Sequence, residues 1–207
     1  MKVINVLIVE DDSYWLDLLS EFLNKHEDIK VTGKATTLEE IVKIISSKVK
    51  VDLILMDIRI SENESGIIFC SHISELYPKL KIIMLTGLQD IKMMKKSFAA
   101  GAVNYILKEN YASIPQKIRE AFSTFNPIEV LLEEFYLYKK EEILHNLTNS
   151  EREIYDLYEK GYKRSEIEKI LIKSTSTVKT QIHSILKKTN CKNMKQIKRK
   201  VKTRGIL

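Results

Sequence analysis

The sequence predicts two domains in series, an α/β domain on a buried parallel sheet followed by a small all-α domain. Three observations predict this. Short apolar runs alternate with amphipathic helical stretches through residues 1–125, the pattern of strands covered on both faces. Four of those runs end on a charged or hydroxyl residue. From residue 147 onward apolar residues recur at helical spacing, and the chain turns strongly basic.

The strands come first. The run 3–9 leads into Glu10 and Asp11, 53–56 into Asp57, 82–85 into Thr86, and 105–107 into Lys108. The carboxyl ends of parallel strands line the ligand crevice, so three acids, a hydroxyl and an ammonium converge on one small site. Clustered carboxylates repel one another unless a cation neutralises them, and hard oxygen ligands suit Mg²⁺. With Thr86 and Lys108 to hold incoming oxygens, a carboxylate beside that cation is equipped to accept a phosphoryl group. The plainer alternative is a structural ion site.

These residues carry a resemblance. Val6-Leu7-Ile8-Val9-Glu10-Asp11-Asp12, Asp52-Leu53-Ile54-Leu55-Met56-Asp57, Met84-Leu85-Thr86-Gly87 and Gly101-Ala102-Val103-Asn104-Tyr105-Ile106-Leu107-Lys108 resemble the receiver domain of bacterial two-component response regulators in order and spacing. The resemblance implies a flavodoxin-like, doubly wound, parallel five-stranded sheet. It implies Asp57 as phosphoacceptor, and Mg²⁺ held by Asp11, by Glu10 through water, by Asp57 and by the Arg59 carbonyl. Thr86 and Lys108 would grip the phosphoryl oxygens, and Tyr105 would turn inward on activation. Two positions depart from the family pattern. Ser61 stands where many receivers have proline, in a loop one residue longer, and Glu109 follows Lys108 where proline is common.

Composition bounds the reading. At 207 residues and 44% hydrophobic content the chain can build two modest cores. No stretch approaches the ~20 apolar residues of a membrane span, and residues 1–9 lack the features of a signal peptide. Cys70 and Cys191 read as reduced thiols of a cytoplasmic protein. His26, His72, His145 and His183 show no metal-ligand spacing.

Charge is uneven. Residues 1–125 hold 16 Lys and Arg against 17 Asp and Glu, residues 126–146 hold 2 against 5, and residues 147–207 hold 16 against 6. From Lys169 to the end there is no acid. A near-neutral domain followed by a basic one suggests a polyanionic partner, and a solvated lysine-rich surface is the plainer alternative.

The helices of the second domain follow in order. Thr148 or Ser150 caps a helix, with Glu151 or Glu153 reaching back. Ile154, Leu157 and Tyr158 form its stripe, and Gly161 suits its end. Residues 163–172 make the next helix, with Ile167, Ile170 and Leu171 inward. A turn at Lys173-Ser174 leads into 175–188, with Val178, Ile182, Ile185 and Leu186 inward, and a last helix covers about 194–201. Two short helices across a tight turn, the second basic, make a helix-turn-helix in a four-helix unit.

Leu147-Thr148, Glu151, Gly161, Glu166-Ile167, Leu171, Ser174, Thr177-Val178-Lys179, Ile185 and Lys187-Lys188 resemble the LuxR-type DNA-binding domain of NarL/FixJ-class response regulators. Gln181 stands where that family often has histidine, and Glu168 where it often has alanine. Helical spacing puts Ser176, Lys179, Thr180, His183 and Lys187 on the outer face. Lys179 suits guanine acceptors and the Thr180 methyl a thymine methyl. Thr177, Lys187 and Lys188 suit phosphates.

Residues 126–146 lack Gly and Ser and read as an amphipathic helix. Ile128, Leu131, Leu132, Phe135 and Leu137 must pack on the first domain, on the second, or on another copy. The expectation is a receiver over 1–125, a helical linker over 126–146 and a LuxR-type DNA-binding domain over 147–207. Such a chain is not an enzyme. A sensor histidine kinase would donate the phosphoryl group, and the chain would bind double-stranded DNA as a homodimer on phosphorylation, away from any membrane. Two competing readings are a protein-interaction module whose basic domain binds an acidic partner, and a phosphate-independent DNA-binding regulator. A phosphatase using the same acids finds no substrate-pocket domain to support it.

Overall fold

The computed structural model describes residues 3–60, 65–87, 89–123 and 127–202. The loop departure at Ser61 lies outside them. The chain forms two compact units, Met1–Leu131 and Leu132–Leu207.

The first unit alternates strand and helix: β1 (Ile4–Val9), α1 (Ser13–Asn24), β2 (Ile29–Ala35), α2 (Leu38–Ser46), β3 (Leu53–Asp57), α3 (Gly66–Leu76), β4 (Lys81–Thr86), α4 (Ile91–Ala99), β5 (Asn104–Leu107), a 3₁₀ helix (Lys108–Ser113) and α5 (Ile114–Glu120). All strand pairs are parallel, in the order β2-β1-β3-β4-β5. The strand period of two decides which side chains meet which helices. Leu7, Val9, Ile54, Met56, Ile82 and Met84 face one side, packed with Ile41 of α2 and Phe69, Cys70 and Ile73 of α3. Val6, Ile8, Leu53, Leu55, Ile83 and Leu85 face the other, packed with Leu19 and Leu23 of α1 and Ile114 and Ile118 of α5. Burying each such side chain contributes about 1.5–3 kcal/mol. Both faces are covered, so the strands read as continuous apolar runs.

Helix α6 (Pro127–Leu144) is followed by α7 (Asn149–Glu159), α8 (Arg164–Ile170), α9 (Thr175–Thr189) and α10 (Met194–Lys202). Their shared core holds Leu144, Leu147, Ile154, Tyr155, Ile167, Val178, Ile185, Met194, Ile197 and Val201. Thr148 caps α7. Its hydroxyl accepts from the Glu151 N–H, and the Glu151 carboxylate accepts from the Thr148 N–H at 2.7 Å. Ser174 caps α9 by accepting from the Thr177 N–H at 3.1 Å.

Three expectations are corrected here. Ile170 does not face inward but is 49% exposed. Helix α8 is only two turns long, and Ile167 and Leu171 fill the space it covers. Within the second unit, α6 packs through residues other than the expected apolar set. Tyr136, Ile143 and Leu144 join the second unit's core, while Leu131, Phe135 and Leu137 are exposed. The side chains of Ile128 and Leu132 lie outside the described residues. Glu159 fastens this contact by accepting from Tyr136 at 3.2 Å and Lys140 at 2.5 Å, and Arg152 donates to Glu141 at 2.6 Å. Tyr155, absent from the expected stripe, is fully buried.

Helices α7 and α8 end alike. After α7, Gly161 at φ +98° donates to the Tyr158 carbonyl while Tyr162 donates to that of Leu157. After α8 the same pair of bonds forms from Ile172 to Lys169 and from Lys173 to Glu168, with Ile172 at φ +51°. A β-branched residue in this region is strained, and Ile172 is 94% exposed, so no packing offsets the cost. Ile172→Gly is therefore expected to stabilise the second unit by about 1 kcal/mol. A thermal melt reads this directly, and an unchanged or lower midpoint would mean that the isoleucine is not strained.

Candidate functional site

The carboxyl edge of the sheet gathers the expected polar residues. Glu10 follows β1, 1% exposed, and Asp57 ends β3, 6% exposed. Asp11 is exposed beside them, and carboxylate oxygens of Glu10, Asp11 and Asp57 lie within 4.8 Å of one another. Lys108, delivered by β5, lies 2.6 Å from Asp57 Oδ2 and 2.7 Å from Glu10 Oε2. The Arg59 N–H donates to Asp57 Oδ1 at 3.2 Å. Asp12 caps α1 by accepting from the N–H groups of Tyr14 and Trp15.

The electrostatics are those of a site short of positive charge. Burial raises the Glu10 carboxyl to about 7, the Asp57 charge adds to that, and Lys108 works against it. Three carboxylates face one ammonium, all donors are oxygen, and exposed Asp11 leaves an entry. This donor set fits a hard divalent cation such as Mg²⁺.

Glycine is required at position 66. A Cβ there would stand 1.8 Å from the Asp57 carbonyl oxygen, because the chain folds back after β3 and the Gly66 N–H donates to the Ile58 carbonyl at 2.8 Å. On the opposite flank Thr86 ends β4, buried. The Tyr105 hydroxyl engages the Thr86 side chain and the Asp90 backbone, and burial pushes that phenol up. Asp90 caps α4 by accepting from the Lys92 and Met93 N–H groups. Thr86 is thus tied through Tyr105 to the start of α4.

In the second unit α9 turns Val178 and Ile185 inward and leaves Ser176, Thr177, Lys179, Thr180, His183, Lys187 and Lys188 exposed. Thr180 donates its hydroxyl to the Ser176 carbonyl at 3.0 Å, so its methyl is the free part. Lys188 is engaged differently from the other lysines of this helix. Its ammonium lies 2.7 Å from Glu151 Oε2, and Ser184 donates to Glu151 Oε1 at 2.5 Å. Burial opposes ionisation of Glu151, but the Lys188, Ser184 and Thr148 donors override it and hold the carboxyl down at about 2.

Polar partners absorb the two departures in this unit. Gln181 accepts from Lys173 at 3.2 Å, and Lys173 also reaches Ser150. Glu168 accepts from Thr175 at 2.9 Å and pairs with Arg164 at 3.3 Å. Sequence reading missed Gly66, Trp15 beside Lys108, and the Glu151–Lys188 pair. Only the glycine left a signal, as a residue without a side chain closing the loop after Asp57.

A parallel α/β unit with an acidic, lysine-bridged cluster at its carboxyl edge, in series with a helix-turn-helix unit, is one of the arrangements found among response regulators. Residues 6–119 match the family model "Response regulator receiver domain". The chain is 30% identical over 197 residues to response regulator protein VraR of Staphylococcus epidermidis and of Staphylococcus aureus, covering 93% of each chain. Its fold matches Salmonella typhimurium RcsB at TM-score 0.56 and 22% identity, over 95% of this chain and 96% of that one. A CheY-like receiver domain from Methanospirillum hungatei matches at TM-score 0.51 and 30% identity, over 58% of this chain and 94% of that one. The chain belongs to the two-component response regulators, in the NarL/FixJ class. No helix among the described residues is long and apolar enough to cross a membrane.

Proposed function

We propose that Asp57 is the phosphoacceptor and that a sensor histidine kinase is the donor, with Glu10, Asp11, Asp57 and the Arg59 carbonyl holding Mg²⁺. The observation that carries this is the Lys108 ammonium bridging Asp57 and Glu10 inside a three-carboxylate cluster. In the transfer, an Asp57 oxygen attacks phosphorus, the bond to the donor's leaving group breaks, and that group departs with the electron pair. Bound Mg²⁺ would supply charge neutralisation for the oxygens. Lys108 and Thr86 would receive the new phosphoryl oxygens, and Tyr105 would carry the Thr86 shift to α4.

Residues 1–125 would serve as the receiver, 126–146 as connector and 147–207 as the DNA-binding domain, acting in the cytoplasm. Helix α9 would enter the major groove, with Lys179, Thr180 and His183 at base edges and Ser176, Thr177 and Lys187 nearer the backbone, while Lys188, read from sequence as a phosphate contact, would hold α9 in place through Glu151. Two copies would bind two half-sites. Salmonella RcsB, alike in fold, has been captured on promoter DNA in the presence of the phosphomimetic BeF₃⁻. Sedimentation with Mg²⁺, with and without beryllofluoride, tests the switch. A monomer becoming a dimer that binds duplex DNA with steep salt dependence is expected. An unchanged mass, or DNA binding indifferent to the mimic, would overturn it.

A further inference from the structure

We infer that Trp15 is a positioning residue for Lys108 and couples the phosphoryl site to the surface formed by α1 and the 3₁₀ helix. The inference rests on the reading of Asp57 as phosphoacceptor. Asp57 and Glu10 hold the Lys108 ammonium through its charge. The Trp15 ring meets it as well, with its centroid 5.4 Å from Nζ. An ammonium within ~6 Å of an indole is attracted by the ring's negative face. Trp15 therefore helps to set where the ammonium rests among the carboxylates.

The same ring touches a second group. Its edge packs on Tyr111 at 6.2 Å and 77°, and Tyr111 packs on Phe22 at 5.3 Å and 72°. Tyr111 lies in the 3₁₀ helix that begins at Lys108, so the two are joined through the backbone as well as through Trp15. Tyr14 and Tyr111 are both exposed. A phosphoryl group on Asp57 presents new oxygens to Lys108, and any shift of that ammonium changes the environment of Trp15 and its contact with Tyr111. This route is separate from the link through Thr86 and Tyr105 to α4.

Trp15 is the chain's single tryptophan, so its emission reports this site alone. The full chain is titrated with beryllofluoride and Mg²⁺, following both tryptophan emission and heat of binding. Phosphorylation by acetyl phosphate is timed by mass for the wild type, Trp15→Phe and Trp15→Leu. Emission is expected to change in step with binding. Trp15→Leu keeps an apolar side chain, a smaller one, without a ring face and is expected to slow phosphorylation about three- to tenfold, while Trp15→Phe restores most of the rate. Binding heat without an emission change, or equal rates in Leu and Phe variants, overturns the role of Trp15. Absence of both binding heat and phosphate gain overturns the Asp57 reading instead. If Trp15→Leu fails to fold, the wild-type emission and the Trp15→Phe rate decide: no emission change, or a Phe rate about tenfold low, overturns the inference.

Discussion

Asp57→Ala is expected to abolish Mg²⁺-dependent, acid-labile phosphorylation, lowering the incorporated phosphate by at least about a hundredfold. No neighbouring acid can take over. Glu10 is buried and paired with Lys108, and Asp11 leads into helix α1, capped by Asp12, rather than ending a strand. The substitution should not harm the fold. It removes one of three crowded carboxylates, so the Glu10–Lys108 pair remains with less repulsion around it. A melting midpoint equal to or above that of the wild type is therefore expected, as is common where function has been placed at the expense of stability. Mass spectrometry after incubation with acetyl phosphate reads the first result and a thermal melt the second. Undiminished phosphate in Asp57→Ala would move the acceptor elsewhere.

The second large effect separates two lysines of α9 that the sequence places at a base edge and at a phosphate. Lys179→Ala should leave the melting midpoint within the error of a surface substitution. It should cost about 1–3 kcal/mol on the preferred duplex if Lys179 reads a base. Lys188→Ala should act first on the fold. It removes the ammonium paired with Glu151, a residue 5% exposed. Lys188 itself is partly solvated, so the loss is smaller than for a fully buried pair, about 1–3 kcal/mol of stability. Weaker DNA binding would accompany it through a displaced α9. The check is a melt beside a binding titration on duplexes recovered from a random pool. Lys188→Ala with an unchanged midpoint and a salt slope flatter by about one would make Lys188 a phosphate contact alone. A Lys179→Ala loss equal on all duplexes would move base reading to Thr180 or His183.

The parallel sheet and its site were legible because both rest on strict local rules. Val9, Met56, Leu85 and Leu107 each complete an apolar run that a strand buried on both faces demands. The polar residue after each must lie at the carboxyl edge, and the distances between Glu10, Asp57 and Lys108 follow from strand order. The outward set on α9 was legible for a like reason, since Val178 and Ile185 fix the rotation of the helix and leave Lys179 and His183 outside. Ile170 misled because periodicity marks a face but does not say how much space the neighbouring helices leave to fill. Helix α6 misled because its apolar residues are spread around the axis, and Glu159 and Arg152, far along the chain, selected the face that packs.

By itself the sequence determined the fold class, the convergence of Glu10, Asp11, Asp57, Thr86 and Lys108, and the outer face of α9. These follow from periods of two and 3.6 residues, which are properties of the local backbone. Only the tertiary structure decided that Gly66 lies against the Asp57 carbonyl, that Lys188 serves Glu151, that Trp15 stands over Lys108, and that Tyr136, Ile143 and Leu144 of α6 join the second unit's core. Those pairings join residues up to 93 positions apart, as Trp15 and Lys108 are. No local period encodes them, because each is set by how whole elements stack and by which buried charge must find its partner.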